Sequence, residues 1–297
     1  MLSQKRKYRE QVVSYLFVLP SLLFMFVFLI YPIFSSLYLS LTSYNFVYSA
    51  SPKFIGLKNY LNLPYDKIFV VSLRNTVYYT AFYFPLMMFL PLCLGALLYE
   101  RVKGTAFFRS CILTPMIIPL SLVSVAFIWI FSDDFGILNH ILRNVLKMPF
   151  LSKNWLMDRK IVIPSLVGVG FWKYAGFATV IYLAGLQSIS ETLYDAAKID
   201  GANRLQVFGY ITLPNLKESF ILVGLLGIMQ SFKVFTQAFV MTAGGPGTNS
   251  LVLYLYFWKT AFSYFEMGYA AAIAYFTAVV IFVPSVLIFL VLKTERK

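Results

Sequence analysis

Six long apolar segments leave this chain few possible folds. Each is long enough for the roughly 20 residues that a helix needs to cross a bilayer. With 60% hydrophobic and only 12% charged residues, the chain carries more apolar surface than a soluble domain of 297 residues can bury. The sequence therefore predicts an all-α membrane protein, with a single domain over residues 1–297 and six transmembrane helices. The expected spans are residues 14–41, 70–99, 106–131, 161–187, 219–241 and 267–292.

The basic residues indicate orientation. The first apolar segment follows a basic patch at residues 5–9, but it is too long for a signal peptide and lacks a small-residue cleavage site. Because Lys and Arg accumulate on the cytoplasmic side of membrane proteins, we expect a multi-pass protein with both termini in the cytoplasm. The net charge of +13 is scattered over short loops and tails, so we expect a lipid bilayer and no nucleic acid as partner. Other basic residues assigned to the cytoplasm include Arg101, Lys103, Lys293, Arg296 and Lys297.

The prolines, the cysteines and the histidine bear on whether the chain is a transporter, a membrane anchor or an enzyme. Prolines such as Pro115 and Pro119 free backbone carbonyls, which is tolerated only where neighbouring helices or water bind them. The two cysteines, Cys93 and Cys111, lack CxxC spacing and are expected to be small core residues. His140 is the only histidine and has no ligand spacing around it. The sequence therefore predicts a multi-helix transporter without catalytic or metal-binding residues.

The polar loop at residues 190–214, between the fourth and fifth spans, has the signals of two short helices. Thr192 and Asp195 have the spacing of a capping box. Gly201 stands where a left-handed C-cap is expected, because glycine adopts positive φ without a Cβ clash. A second helix start follows at residues 203–206, and Pro214 is expected to end the unit. These signals predict a helical hairpin suited to docking.

This loop carries a family resemblance. The spacing of Asp195-Ala196-Ala197, Gly201, Ile211 and Leu213-Pro214 resembles the coupling loop of permeases in binding-protein-dependent ABC importers, where glutamate usually stands in place of Asp195. The segment 232–235, the Gly-Gly-Pro turn at 244–246 and the segment 268–272 resemble the carbohydrate branch, on its MalF-like side.

The resemblance implies the type I ABC importer permease fold in a bacterial cytoplasmic (plasma) membrane. It also implies a sugar substrate, an extracellular solute-binding protein, a second, MalG-like permease subunit and two ATPase subunits. ATP would bind on those ATPases, and this chain would bind no cofactor. The residues that the resemblance assigns to ATPase coupling are Asp195, Ala196, Ala197, Asp200, Gly201, Ala202, Arg204, Ile211, Leu213 and Pro214.

Polar residues inside two spans are candidates for the substrate pathway. On a continuous helix Gln230, Lys233 and Gln237 fall within about 60° of arc, which makes one polar stripe. Charged residues within spans usually face a bundle interior or a watery cavity, and amides and an ammonium can bond sugar hydroxyls. An interhelical hydrogen bond or a snorkelling lysine would give the same pattern. Further pathway candidates in the fourth span are Trp172, Lys173 and Tyr174.

An ion-coupled secondary transporter is the alternative function. Proton-coupled carriers usually place Asp, Glu or His inside the membrane, whereas all twelve acidic residues and the one histidine here fall outside the expected spans. The Gly-Gly-Pro turn lacks the Gly-Lys-Ser/Thr ending of a phosphate-binding loop, so ATP hydrolysis is expected on a separate subunit. The ABC importer hypothesis is therefore favoured.

Overall fold

The computed structural model describes residues 2–99 and 104–293, with side chains over 13–99 and 104–291. The basic residues Arg101, Lys103, Arg296 and Lys297, which supported the predicted orientation, lie outside the described residues. In this described part of the chain the regular structure is helical apart from one two-stranded antiparallel ladder that pairs β1 (Thr42–Ser43) with β2 (Lys53–Phe54). The helices are α1 (Leu2–Met25), α2 (Tyr31–Ser40), α3 (Lys58–Asn62), α4 (Lys67–Tyr99), α5 (Thr105–Ile117), α6 (Leu120–Ile130), α7 (Ile137–His140), α8 (Val162–Gln187), α9 (Glu191–Ile199), α10 (Arg204–Val207), α11 (Leu213–Asn215), α12 (Lys217–Phe232), α13 (Thr236–Thr242), α14 (Leu253–Phe262) and α15 (Met267–Lys293).

Within residues 2–99 and 104–293, five helical segments are long and apolar enough to cross a membrane, and the bent pair of α5 and α6 supplies a sixth. The six transmembrane helices that the sequence predicts are therefore present. Short π-helical turns join α1 to α2 and α10 to α11. Besides the bent pair, the segments are Val13–Ser40, Lys67–Tyr99, Val162–Gln187, Lys217–Thr242 and Met267–Val291.

The described residues form two compact units, and the first comprises residues 2–63 and 257–276. Within this unit, the buried side-chain amide of Asn59 donates to the carbonyls of Ser40 at 2.8 Å and Thr42 at 2.9 Å. These bonds tie α3 to the end of the first span. None of the most apolar window of Val13–Ser40 is buried inside the structure, so its side chains are free to contact lipid or another protein.

The second unit comprises the described residues of 64–256 and 277–293, and α8 lies at its core. Helix α8 packs against α4 and α5, and 61% of its most apolar window is buried. Small residues allow this packing, as the glycine-rich sequence predicts. A Cβ atom on Gly176 would lie 2.0 Å from the carbonyl oxygen of Ile112 on α5, so only glycine permits the observed approach.

The third span, expected over residues 106–131, is broken. Helices α5 and α6 meet at an angle of 100° across a break of two residues, Ile118 and Pro119. Proline at position 119 has no N–H to continue the ladder, and Ile118 is extended at φ −72° and ψ 131°. The prolines predict disturbed helices, but the right-angled turn exceeds a simple kink.

The fifth span, expected as one helix over 219–241, is also interrupted. Helix α12 ends at Phe232 and α13 begins at Thr236, because Phe235 leaves the helical region with φ −140°. The prediction that Gln230, Lys233 and Gln237 form one polar stripe on a continuous helix is therefore wrong. No proline or glycine marks this break, so the local sequence contained no signal for it.

The cysteines correct another expectation. Cys93 and Cys111 are both exposed rather than buried in a core. Both lie on helices of candidate spans, α4 and α5, so apolar character there marks contact with lipid as well as packing between helices. The residue type alone does not separate these two environments.

The loop after α13 is fixed by α4. The side-chain amide of Asn75 donates to the carbonyls of Thr248 at 2.7 Å and Leu251 at 3.0 Å. The hydroxyl of Thr76 accepts from the N–H of Leu253 at 2.8 Å. The loop contains the Gly-Gly-Pro turn, and three of its backbone groups are bound by side chains of α4.

We expect Asn75→Ala to loosen this loop, because the carbonyls of Thr248 and Leu251 lose a side-chain donor. The stability loss should be about 1–3 kcal/mol, the cost of one orphaned buried acceptor, since the carbonyl of Thr248 keeps the N–H of Leu251 as a donor. Thermal unfolding of the detergent-solubilised protein and proteolysis within 243–252 measure the change. Thr248→Ala, which removes an exposed side chain from the same loop, is the control. Equal behaviour of the two variants would contradict the role of Asn75.

Candidate functional site

The first candidate region is the polar hairpin of α9, α10 and α11. Helix α9 begins at Ser190, whose hydroxyl accepts from the N–H of Thr192 at 3.3 Å. The capping box predicted from Thr192 and Asp195 is therefore wrong, because the cap lies two residues earlier. Asp195 instead forms an ion pair with Lys198 at 3.0 Å. Both side chains are exposed, and such pairs contribute little to stability.

The turn of the hairpin is closed by local hydrogen bonds. Gly201 has φ +72°, as its predicted C-cap position requires. The N–H of Gly201 donates to Lys198 O at 3.2 Å and that of Ala202 to Ala197 O at 2.9 Å, which is the Schellman pattern. The helix start predicted at Asn203 is confirmed, with a reciprocal capping box between Asn203 and Gln206 at 2.9 and 2.8 Å.

The second half of the hairpin extends further than expected. Pro214 is the second residue of α11, so the helical path passes through it instead of ending there. The helical path stops at Leu216, just before α12. Only Leu216 therefore separates the end of the hairpin from α12, the first helix of the fifth span.

The hairpin exposes large apolar side chains. Ile199, Leu205 and Tyr210 are 87, 83 and 82% exposed. The resemblance did not identify them, although each adjoins a motif position or a cap. These side chains are therefore available to contact a partner. Among the predicted coupling residues, Ala197 is buried, Ala202 and Ile211 are half-buried, and Asp195, Ala196, Asp200, Gly201, Arg204, Leu213 and Pro214 are exposed.

A large cavity lies behind the hairpin. It measures about 900 Å³ and extends to the ends of α4 and α8, where Ala96, Tyr99 and Leu186 contribute to its wall. The hairpin side is formed in part by Asp195 and Arg204. The hairpin is therefore attached at its base to the same helices that build the membrane core.

The second candidate region is a cavity of about 270 Å³ at the break between α12 and α13. It contains Gln230, Lys233 and Gln237, so these residues do share one site although they share no continuous helix. Its volume is near the lower end of the range for small-molecule pockets. Its remaining wall includes Tyr79, Tyr83, Leu120, Tyr174, Leu226, Met229, Val234, Phe235 and Thr236.

Two tyrosines of α4 hold the glutamines of this membrane cavity. Tyr83 donates its hydroxyl to Gln230 Oε1 at 2.8 Å, and Gln237 Nε2 donates to the hydroxyl oxygen of Tyr79 at 3.0 Å. The tyrosine rings stack at 5.5 Å, and both side chains are buried. Lys233 is exposed toward the cavity. Sequence reasoning missed the tyrosines, whose only signal was their i, i+4 spacing on one helix face.

The three pathway candidates of the fourth span do not lie in one site. Tyr174 lines the membrane cavity, but Trp172 and Lys173 do not. Trp172 is 42% exposed and packs edge-on against Phe127 at 5.4 Å. Lys173 is buried and donates to backbone carbonyls of the α5 end. Within residues 2–99 and 104–293, no cluster of three or more His, Cys, Asp or Glu side chains is arranged to hold a metal ion.

Comparison with known proteins gives one family and a consistent fold. Residues 87–294 match the family described as "binding-protein-dependent transport system inner membrane component". The chain is 34% identical over 268 residues to the probable ABC transporter permease protein YurN of Bacillus subtilis, covering 90% of this chain and 91% of YurN. It is also 34% identical over 269 residues to the trehalose/maltose transport system permease protein MalF of Thermococcus litoralis, covering 90 and 88% of the two chains.

A solved structure shares the fold. The crystal structure of a bacterial ABC transporter involved in importing the acidic polysaccharide alginate contains a chain that superposes with a TM-score of 0.83 at 21% identity. The match covers 99% of this chain and 100% of the other. The type I importer permease fold predicted from the polar loop is therefore confirmed.

We expect Asn203→Ala to fray the second helix of the hairpin, because its cap and the reciprocal bond from Gln206 are lost. The cost should be about 1 kcal/mol, with hydrogen exchange in residues 203–207 several-fold faster. Mass spectrometry of exchange in the intact protein measures this change. Thr192→Ala, at the position where the sequence placed the first cap, should leave exchange unchanged. Faster exchange in Thr192→Ala alone would contradict the observed caps.

Proposed function

Because this chain belongs to the family of binding-protein-dependent transport system inner membrane components, we propose that it is the permease subunit of an ATP-driven ABC importer for a sugar or oligosaccharide. The observation that carries the proposal is the capped hairpin between the fourth and fifth spans, with the motif residues and three large apolar side chains on its surface. An ATPase subunit would dock there.

The way in which the hairpin is held supports a coupling role. Its two ends continue into α8 and α12 with few intervening residues. The Schellman turn and the capping box make it a defined body, so a force applied by a docked ATPase would reach the spans as rigid movement. The exposed Ile199, Leu205 and Tyr210 would supply apolar contacts, and the charged Asp195 and Arg204 would supply polar ones.

The membrane cavity supports a sugar as substrate. Two amides, an ammonium and tyrosine hydroxyls can bond sugar hydroxyls, while Phe235 and the tyrosine rings offer faces for the C–H groups of a sugar ring. The Thermococcus relative is named as a trehalose/maltose permease, which agrees with this chemistry. Lys233 and Gln237 are the groups that we assign to the substrate.

The partners follow from the proposed function. The family description implies an extracellular solute-binding protein that delivers the substrate. The unburied apolar surface of Val13–Ser40 is suited to lipid and to a second, MalG-like permease. Two separate ATPase subunits would bind and hydrolyse ATP, with both termini of this chain in the cytoplasm of a bacterium. The hairpin would then face the compartment that contains ATP.

Gly201→Trp should uncouple transport. A non-glycine residue at φ +72° is strained by about 1–2 kcal/mol. This cost corresponds to roughly a tenfold change in an equilibrium constant. The bulky Trp side chain would also block docking of the ATPase. We expect uptake to fall about tenfold or more, with the ATPase lost on co-purification. Gly56→Trp is the control, because Gly56 also has open space and a φ of +62° but lies before the second span. Normal uptake by Gly201→Trp in an assembled complex would refute the coupling role.

Lys233→Ala and Gln237→Ala should impair uptake without preventing assembly. Loss of a charge-assisted hydrogen bond from Lys233 would lower uptake about tenfold or more, and loss of a neutral one from Gln237 about two- to tenfold. Gln237→Ala additionally leaves the buried hydroxyl of Tyr79 without its partner. Uptake of labelled sugar, normalised to complex recovered, measures the effect. Gln187→Ala, an exposed amide at the end of α8, is the control. Unchanged kinetics in both cavity variants would remove these residues from the pathway.

Reconstitution separates the importer from the secondary-transporter alternative. The importer requires ATP and its partner subunits for uptake into vesicles. Uptake by the purified chain alone, driven by an ion gradient without ATP, would overturn the proposed function. The absence of Asp, Glu and His from the middle of the described spans supports the first outcome.

A further inference from the structure

Lys173 occupies an unusual position for a charged residue of a transmembrane helix. It lies in the middle of α8 and is only 6% exposed. Its ammonium donates to the carbonyls of Pro115 at 2.9 Å and Met116 at 2.7 Å, and to that of Ile118. An ammonium has three N–H donors and no acceptor, so these carbonyls use its whole hydrogen-bonding capacity.

The carbonyls need this donor because the third span is broken there. In a continuous helix the carbonyl of Pro115 would accept from the N–H of residue 119, but that residue is proline and has none. The turn at Ile118 also separates the last carbonyls of α5 from the amides of α6. An unsatisfied backbone group within hydrocarbon costs several kcal/mol. A cation also complements the negative C-terminal end of the α5 dipole.

Close packing brings the lysine to the break. Gly176 lies one turn after Lys173 on α8, and its lack of a side chain lets α8 approach Ile112 of α5. Lys173 and Gly176 therefore lie on the same helix face, the one that meets α5. The glycine sets the helix separation, and the lysine caps the broken end.

The break determines part of the membrane cavity. Helix α6 starts immediately after Pro119, and its first residue, Leu120, lines the cavity beside Tyr174. Helix α6 also packs against α13, which carries Gln237. The position of Leu120 therefore depends on the angle at which α6 leaves the break.

We propose that Lys173 is a positioning residue for translocation, and that it acts by holding the 100° turn between α5 and α6 against the cavity. It does so without touching the substrate, which reassigns it from the pathway role suggested by its sequence context. The proposal concerns the shape of the cavity wall, so it does not depend on which solute is carried.

Accessibility of position 120 tests the proposal directly. The exposed Cys93 and Cys111 are replaced by serine in the full chain, and Leu120→Cys is added as the reporter. The rate of labelling by a membrane-impermeant maleimide is measured in membranes that contain the assembled complex. In Lys173→Met, water must replace the ammonium at three carbonyls. We therefore expect the cysteine at position 120 to be labelled at least about tenfold faster.

Matched variants separate positioning from other roles. Lys173→Arg keeps the charge and the donors, so it should restore slow labelling and uptake. Lys233 lines the membrane cavity, as Leu120 does, but it does not bind the carbonyls at the break. Lys233→Met should therefore lower uptake while leaving the labelling rate at position 120 unchanged. Gly176→Ala keeps Lys173 but should push α8 away from α5 and speed labelling. This variant also serves if Lys173→Met does not accumulate.

Two results would overturn the proposal. One is a labelling rate at position 120 that stays unchanged in both Lys173→Met and Gly176→Ala. The other is failure of Lys173→Arg to restore slow labelling where Lys173→Met has increased it. Because labelling requires no transport, these results are distinguishable from failure of the proposed importer function, which the uptake measurements report.

Discussion

Hydrocarbon offers no hydrogen-bond partner to a peptide group, and the break in the third span of this protein is shaped by that constraint. The carbonyls at the α5 end are bound by Lys173 from α8. At the second break, α4 contributes Tyr79 and Tyr83, which hold the glutamines on either side of Lys233. At the first break the lysine binds the irregular backbone itself, whereas at the second break the tyrosines bind the glutamine side chains that flank it. In both places the polar partner comes from a neighbouring continuous helix, α8 or α4.

The same two helices connect the cavity with the hairpin. Helix α4 carries Tyr79 and Tyr83 in its middle and Ala96 and Tyr99 at its end, where the cavity behind the hairpin begins. Helix α8 lines the membrane cavity at Tyr174 and the cavity behind the hairpin at Leu186, four residues before the cap of α9. Two continuous helices thus border both candidate regions. A movement of the hairpin that tilts them would change the membrane cavity without a separate relay of side chains.

Much of this organisation could be predicted from the sequence, and the reasons differ by feature. Length and apolarity determine the spans, because hydrophobic thickness is a property of the bilayer. Gly201 and Asn203 were identified correctly since their local chemistry dictates turn and cap. The cap at Ser190 was assigned to the wrong residue because Ser and Thr two positions apart offer the same chemistry.

Other features depend on contacts between distant residues, which a local pattern does not contain. The break at Lys233 has no proline or glycine, and it is stabilised by tyrosines some 150 residues earlier in the chain, as the 158-residue separation of Tyr79 and Gln237 illustrates. Lys173 looked like a pathway residue because its partners, the carbonyls of α5, are invisible in a sequence. The exposed cysteines show the same limit, since lipid and protein interior select similar side chains. The membrane cavity could thus be outlined from polar residues but not assembled from them.

The unburied Val13–Ser40 segment has a consequence for biosynthesis. A helix that contributes no side chain of its most apolar window to the interior can settle in the bilayer as soon as it leaves the ribosome. Helix α8 is different, because its buried lysine and close glycine contacts acquire their partners only when α4 and α5 are in place. The order of synthesis matches this need, since α4 and α5 precede α8. The N-terminal helix would hold the nascent chain in the membrane while the polar core assembles behind it.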